Sequence, residues 1–439
     1  MPSHIPIDVV DIILDQFCDD THTLMNASRV ARAWLPSCRS RLFNCISIVD
    51  DSAGFECIRW FEARQDLARH VRQICVRFQD CIDGEVIGQV LKCFERLRAI
   101  DIEGGVSKVK SGMIPFPLYC VDFLGIHIPQ GLGQDDPDEE LGNCEGLINV
   151  LLMFSLWHVE ELLVTLPRDF TTRTQHVDEF LKLQSQPSTM RVNALVIILD
   201  TRDGLVSRIF RHLLHAPTIH WITARGWLLL LGPAFRHLLV VSSNLTNLRM
   251  NCGQDLTKIY LDGDLSLSGI TSVLPKCKAL QHLRLDFQTH VIPRLDAGGY
   301  GFTPVYYVNW QSTRSVLEIE IPHLTNLSLI FPEQDAYHLS ILLECLHYVE
   351  WRTLESCIEQ SYPNLEHLNV QYHLCNSDPV EDEIWDADVA NFLRAQLART
   401  DSRGLLRIGR PDFPCRNIPL RKRRHYGFTT IINRSIDLE

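Results

Sequence analysis

Lys278-Ala279-Leu280-Gln281-His282-Leu283-Arg284-Leu285-Asp286 sets its leucines three and then two residues apart. In an extended chain Leu283 and Leu285 point to one side, and Leu280 leads into them; His282 and Arg284 point to the other side. The segment therefore reads as a short strand with one apolar and one polar face. The same apolar-x-x-apolar-x-apolar triplet occurs upstream as Val71/Ile74/Val76, Leu97/Ile100/Ile102, Leu118/Val121/Phe123, Val159/Leu162/Val164 and Val192/Leu195/Ile197. It continues as Leu245/Leu248/Met250 and Leu256/Ile259/Leu261, and returns downstream as Leu324/Leu327/Leu329 and Leu365/Leu368/Val370.

Amphipathic segments precede several triplets: Val177–Leu183, Ile270–Cys277 and Trp351–Ile358. Helix then strand, repeated, is the build of a leucine-rich-repeat solenoid, an α/β fold with a parallel sheet. Successive triplets start 26, 21, 41, 33, 53, 11, 24, 44 and 41 residues apart, so the repeat is irregular. Steps of 21–26 suit one unit, and those above 40 suit two units or a long insertion. Ile219/Ile222 offers a missing start that divides the step of 53 into 27 and 26. The step of 11 is too short for a strand, a helix and two turns, which makes one of its two matches suspect.

The chain has 439 residues, with 42 basic against 54 acidic, a net charge of −12. Such a chain repels a phosphate backbone, so nucleic acid is not an expected partner. Its 15 cysteines include no Cys-x-x-Cys pair, which removes zinc ribbons and thioredoxin-like motifs. Asp8, Asp11 and Asp15 interrupt the apolar N-terminus, and the apolar runs Leu147–Trp157 and Trp227–Phe235 are too short to span a bilayer. Reduced thiols and a cytoplasmic or nuclear location are the expectation, with no membrane partner. No P-loop, Gly-x-Ser-x-Gly elbow or His-Glu-x-x-His helix occurs. No catalytic residue, metal or cofactor is therefore nominated, and an enzyme is the third-ranked reading. His367, Asn369 and Gln371 alternate as the polar face of a strand.

Residues 1–47 form a helical segment of their own. Pro6 precedes the stripe Val9, Val10, Ile13, Leu14 and Phe17; the stretch around Asp20 ends this helix and offers a cap to the next, from about Thr23 to Trp34. Arg39–Phe43 reads as a third short helix, with Trp34 and Leu42 in the small core. This segment resembles an F-box. The resemblance rests on Ile5-Pro6, Asp8-Val9-Val10, Ile13-Leu14 and Phe17, then Leu24 and Val30-Ala31-Arg32-Ala33-Trp34. The remainder is similar to the fungal group that joins this motif to irregular leucine-rich repeats. That likeness rests on His70–Ile74, on Trp351–Leu354 with Pro363–Glu366, and on Phe392-Leu393 with Gly404–Ile408.

The resemblance implies an F-box at 1–47, a leucine-rich-repeat-like solenoid at 48–412 and a basic tail at 413–439. It implies a Skp-type adaptor held by Ile5, Pro6, Val9, Val10, Ile13, Leu14, Phe17, Leu24 and Val30, and through it a cullin–RING ligase that ubiquitinates a protein bound to the repeats. The alternative packing has Ile5, Val9, Val10, Ile13 and Leu14 against the first repeat. The alternative function is a non-catalytic scaffold acting outside ubiquitin transfer. A protein substrate is expected on the polar strand face, at Asn247, Arg249, Lys258, Tyr260, His282 and Arg284. Its three cations suit an acidic or phosphorylated protein segment. Gln134–Glu140 and Asp378–Asp388 read as acidic solvated loops, and Arg421–His425 as a charged tail or import signal.

Overall fold

The computed structural model describes residues 5–17, 20–107, 120–128, 139–166, 190–199, 209–210, 213–225, 238–251, 272–287, 289–295, 302–308, 310–331, 339–372 and 379–409. Lys258, Tyr260, the third triplet residue Leu118, the Leu256/Ile259/Leu261 triplet, Val177–Leu183 and the basic tail lie outside them. Two compact units divide between Val192 and Asn193.

The first unit opens with helices α1 (Ile7–Asp15), α2 (Thr21–Val30) and α3 (Leu35–Leu42). Asp20 starts α2, accepting from the Thr23 hydroxyl at 2.6 Å and the Thr23 N–H at 3.0 Å; the hydroxyl first, and then the N–H, lowers its pKa. The second helix stops at Val30, earlier than expected, because Ala31 turns extended. Pro36 stands in the first turn of α3, where its missing N–H costs nothing, so it opens the third helix earlier than the sequence reading had it. Strand β1 (Cys45–Ile48), helices α4 (Asp51–Ala63) and α5 (Gln65–Ala68), β2 (Gln73–Asp83), α6 (Gly84–Lys92), β3 (Ala99–Ser107), β4 (Cys120–His127), α7 (Glu139–Met153) and β5 (His158–Leu166) follow. Strand β6 (Arg191–Leu199) runs across the division.

The second unit continues with β7 (Trp221–Arg225), β8 (Asn247–Asn251), β9 (His282–Asp286), β10 (Thr289–Leu295), β11 (Phe302–Val308), α8 (Trp310–Leu317) and β12 (Asn326–Phe331). Helices α9 (Leu339–His347) and α10 (Trp351–Ser361), β13 (His367–Tyr372), α11 (Pro379–Gln396), α12 (Ala398–Ser402) and β14 (Leu406–Gly409) complete it. Twelve strands, all except the antiparallel hairpin β10–β11, are strands of parallel sheet, and within each unit sheet order follows chain order.

Register explains the triplets. In the first unit Ile46, Ile74, Ile100, Leu124 and Leu162 lie side by side, as do Ile48, Val76, Ile102, Ile126 and Val164. In the second, Leu195, Ile222, Leu248, Leu283, Leu327 and Leu368 form one row, with Ile197, Ala224, Met250, Leu285, Leu329 and Val370 in the next. All of these are buried. Taking each large side chain out of water stabilises by roughly 1.5–3 kcal/mol, so the rows hold the sheet in one register.

The backbone repeats with them. The residue after each leading apolar position lends its carbonyl to two N–H groups of the next strand: Arg72 to Arg98 and Ala99, Thr246 to Gln281 and His282, Gln281 to Thr325 and Asn326. Asn244 and Asn364, each just before a leading leucine, donate to the carbonyls of Pro217 and Pro322 one repeat earlier.

Several expectations shift. Phe43/Ile46/Ile48 is a buried triplet that begins the sheet inside the N-terminal segment. In β4 the triplet is Val121/Leu124/Ile126, three residues beyond the expected one, and Phe123 faces the other way, half-buried. The missing start at Ile219 is real: Ile219, Ile222 and Ala224 are buried and β7 pairs on both sides. Strand β8 pairs directly with β9, so Leu256/Ile259/Leu261 adds no strand between them. The step from Leu280 to Leu324 holds the β10–β11 hairpin and α8, and the step from Leu324 to Leu365 holds α9 and α10; both are insertions. The Asp378–Asp388 stretch, read as a loop, is helical from Pro379, because proline and acidic residues suit a helix N-terminus. Leu42 is buried as expected, whereas Trp34 is only half-buried at the start of α3.

Glu355 on α10 holds the last helix. Its carboxylate accepts from the Thr400 N–H at 2.7 Å, the Thr400 hydroxyl at 3.0 Å and Arg399 Nε at 3.0 Å. Burial alone raises its pKa, but these donors outweigh it and hold the carboxyl below its usual value. A depressed carboxylate contributes stability that is complete above the ordinary range, near 4.3, and is lost as pH falls through the depressed value. Glu355→Ala is expected to cost about 1–3 kcal/mol by orphaning the Thr400 donors, and to flatten the acid limb of the stability curve. Equal acid sensitivity in the variant, by urea unfolding between pH 3 and 7, counts against this role.

Candidate functional sites on a helix face and a strand face

Helix α1 is apolar on two sides, and packing decides which side is free. Val10 and Leu14 are 1% and 2% exposed, and Leu24 of α2 is fully buried. Arg41 of α3 sets the rotation: its guanidinium binds Asp11 at 3.1 Å and Asp15 at 2.7 Å, and donates to the Asp11 carbonyl at 3.0 Å. The opposite side therefore faces outward, with Val9, Ile12 and Ile13 exposed along it, and Ile5 and Phe17 are exposed just before and after the helix. Among the described residues, the thirteen exposed large apolar side chains include seven between Ile5 and Val30: Ile5, Ile7, Val9, Ile12, Ile13, Phe17 and Val30. A concentration of this kind marks a surface for association.

The nine residues expected to touch an adaptor thus divide. Ile5, Pro6, Val9, Ile13, Phe17 and Val30 are exposed, whereas Val10, Leu14 and Leu24 pack inside the helical segment. Ile12 belongs to the outer stripe and was not anticipated; at 65% exposure it is its most exposed member, while Ile7, exposed at the start of α1, stands on the side of Val10 and Leu14.

The second candidate lies on the polar face of the second unit. Here Trp221, Asn247, His282, Asn326 and His367 occupy one row, and Thr223, Arg249, Arg284, Ser328 and Asn369 the next. Arg249 and Asp286 are buried, 9% and 5% exposed, and pair through Nε to both carboxylate oxygens, at 3.0 and 2.9 Å, and through Nη2 at 2.9 Å. Arg284 stands with its Cζ 5.0 Å from the Trp221 ring centroid, a cation–π contact, while Trp221 Nε1 donates to the Thr223 hydroxyl at 2.9 Å. Burial, then Arg249, lowers the pKa of Arg284; burial, then Arg284, lowers that of His282.

Of the six residues expected on this strip, Asn247, Arg249, His282 and Arg284 are brought together. The expected display of three cations does not form among the described residues, since Arg249 is engaged by Asp286 inside the face. Arg284 and Trp221 make the outward-facing pair in its place. Further along, Asn369 donates to the Ser328 hydroxyl at 3.3 Å, and Arg407 meets His367 at 3.1 Å.

Asp101 and His127 approach at 2.9 Å on the corresponding face of the first unit. They meet across Gly125, where a Cβ would overlap Asp101 Oδ1. Among the described residues, no group of three or more His, Cys, Asp or Glu side chains is arranged to hold a metal ion, and no helix is long and apolar enough to cross a membrane. Compared with known protein families and with characterised proteins, the chain matches none.

Proposed function

We propose that the chain is the substrate-recognition subunit of a Skp–cullin–F-box ubiquitin ligase, non-catalytic itself, with an F-box at its N-terminus and a leucine-rich-repeat-like solenoid behind it. The observation that carries this reading is the outer side of α1, Val9, Ile12 and Ile13, with Ile5 and Phe17 exposed just beyond its ends, all left in water while Arg41 pins the other side. An apolar helix face in water is favoured only when a partner covers it. The F-box resemblance names that partner as a Skp-type adaptor. Strands added one by one in chain order, with triplets in register, support the solenoid reading. The substrate meets the strand face of the second unit, where Trp221 and Arg284 offer an aromatic and a cation side by side.

The test is reconstitution with a recombinant Skp-type adaptor and cullin. Co-elution of all three on size-exclusion chromatography is expected. A chain that elutes alone at micromolar concentrations overturns the reading. Adaptor binding without cullin recruitment favours a scaffold outside ubiquitin transfer.

A further inference from the structure

In the first unit, the residues that follow the leading apolar positions are Asn44, Arg72, Arg98, Asp122 and Glu160. Their carbonyls tie the strands together: Asn44 accepts from Arg72 and Gln73, Arg72 from Arg98 and Ala99, and Arg98 from Asp122 and Phe123. This fixes Arg72, Arg98 and Asp122 on adjacent strands, about 4.8 Å apart. In the second unit the same row reads His220, Thr246, Gln281, Thr325 and Glu366, and the hydroxyls of Thr246 and Thr325 simply donate to the preceding carbonyls. A threonine meets the backbone's needs at two of these positions, so this place in the repeat does not itself call for an arginine.

With Arg96 they line an open pocket of about 510 Å³, together with Leu97, Cys120 and Asp122. Arg72 Nη1 donates to the Arg96 carbonyl at 3.1 Å, which holds that guanidinium at the rim. The lining carries three guanidinium groups and one carboxylate, Asp122, which lies 3.8 Å from Arg98. Burial first, and then Arg96 and Arg98, push the pKa of Arg72 down, as expected where like charges crowd.

We propose that this pocket binds a phosphoryl dianion. Three arginines against one aspartate leave a local charge of +2, which matches the roughly −1.5 to −2 of a phosphate monoester at pH 7. Guanidinium forks hold such oxygens two at a time. A chain of net charge −12 disfavours an extended polyanion, and the row itself turns acidic at Asp122 and Glu160. The ligand is therefore one phosphoryl group rather than a run of them. The assignment is independent of the adaptor, which concerns a different face.

The test titrates the full chain, at constant ionic strength in chloride, with O-phospho-L-serine and with a phosphoserine-centred peptide of otherwise neutral residues. Saturable binding, competed by inorganic phosphate, is expected by calorimetry. The exposed pair Arg96→Gln/Arg98→Gln is expected to weaken it about tenfold or more, with an unchanged circular dichroism spectrum. Asp122→Asn, which removes the opposing charge, is expected to tighten it. Tighter binding of the peptide assigns the phosphoryl group to a protein segment, and equal affinity assigns it to a free phosphate ester; either supports the pocket. Absence of saturable binding, or a double variant that binds like the parent, overturns it.

Discussion

An aspartate at Ile12 or Ile13 is expected to abolish adaptor capture while leaving the chain folded. Both side chains are exposed in the free protein, so a charge there costs little until a partner covers it. Burial of an unpaired carboxylate in an apolar interface costs on the order of 3–5 kcal/mol, which is about two to nearly four decades of affinity. The same substitution at Val10 or Leu14 places the charge inside the helical segment and is expected to unfold it, losing capture for a different reason. Binding measured beside near-ultraviolet circular dichroism separates the two outcomes. Full affinity in both Ile12→Asp and Ile13→Asp removes α1 as the contact.

Asp286→Ala is expected to be the most destabilising single change on the strand face. It leaves the Arg249 guanidinium buried without its carboxylate and beside a second cation, Arg284. Breaking a buried pair from one side costs about 3–5 kcal/mol, a large part of the stability of an ordinary domain. Replacing both partners by apolar residues, Arg249→Met with Asp286→Leu, is expected to recover most of the loss, since the pair's own net contribution is small against its desolvation. A double-mutant cycle by urea unfolding measures the difference. Two single variants within about 0.5 kcal/mol of the parent contradict the role of the pair.

The strand ladder was legible because its signal is local: apolar residues three and two apart read the same wherever they fall. Where it failed, a competing local pattern intruded. Leu118/Val121/Phe123 matches the template, but Val121/Leu124/Ile126 does too, and only pairing with Ile100 and Ile102 decides between them. Phe43/Ile46/Ile48 was hidden because Leu42 and Phe43 also complete a helix. The sites were less legible, for a physical reason. Residues 5–17 are apolar on both sides of a helix, so periodicity alone does not separate inside from outside; Arg41, 26 positions beyond Asp15, makes that choice. Likewise Asp286 neutralises Arg249 from 37 residues away, a relation that exists only once β8 and β9 are aligned.

The paired acceptance of two N–H groups by one carbonyl, repeated from strand to strand, has a consequence for how the chain can change length. The apolar rows and the carbonyl that ties each strand to the next lie within six residues, from the leading apolar position to the last of the triplet. The connections outside them differ from repeat to repeat in length and in the elements they hold. Closing a longer connection costs about 0.6 kcal/mol for each doubling of its length, so a hairpin such as β10–β11 or an extra helix such as α9 is accommodated at small expense. A single residue added within Leu283–Leu285 instead turns the following leucine to the polar face and drives Arg284 or Asp286 inward. Tolerance to insertion should therefore alternate sharply along the sequence, tens of residues being harmless in the connections where one is ruinous in a strand.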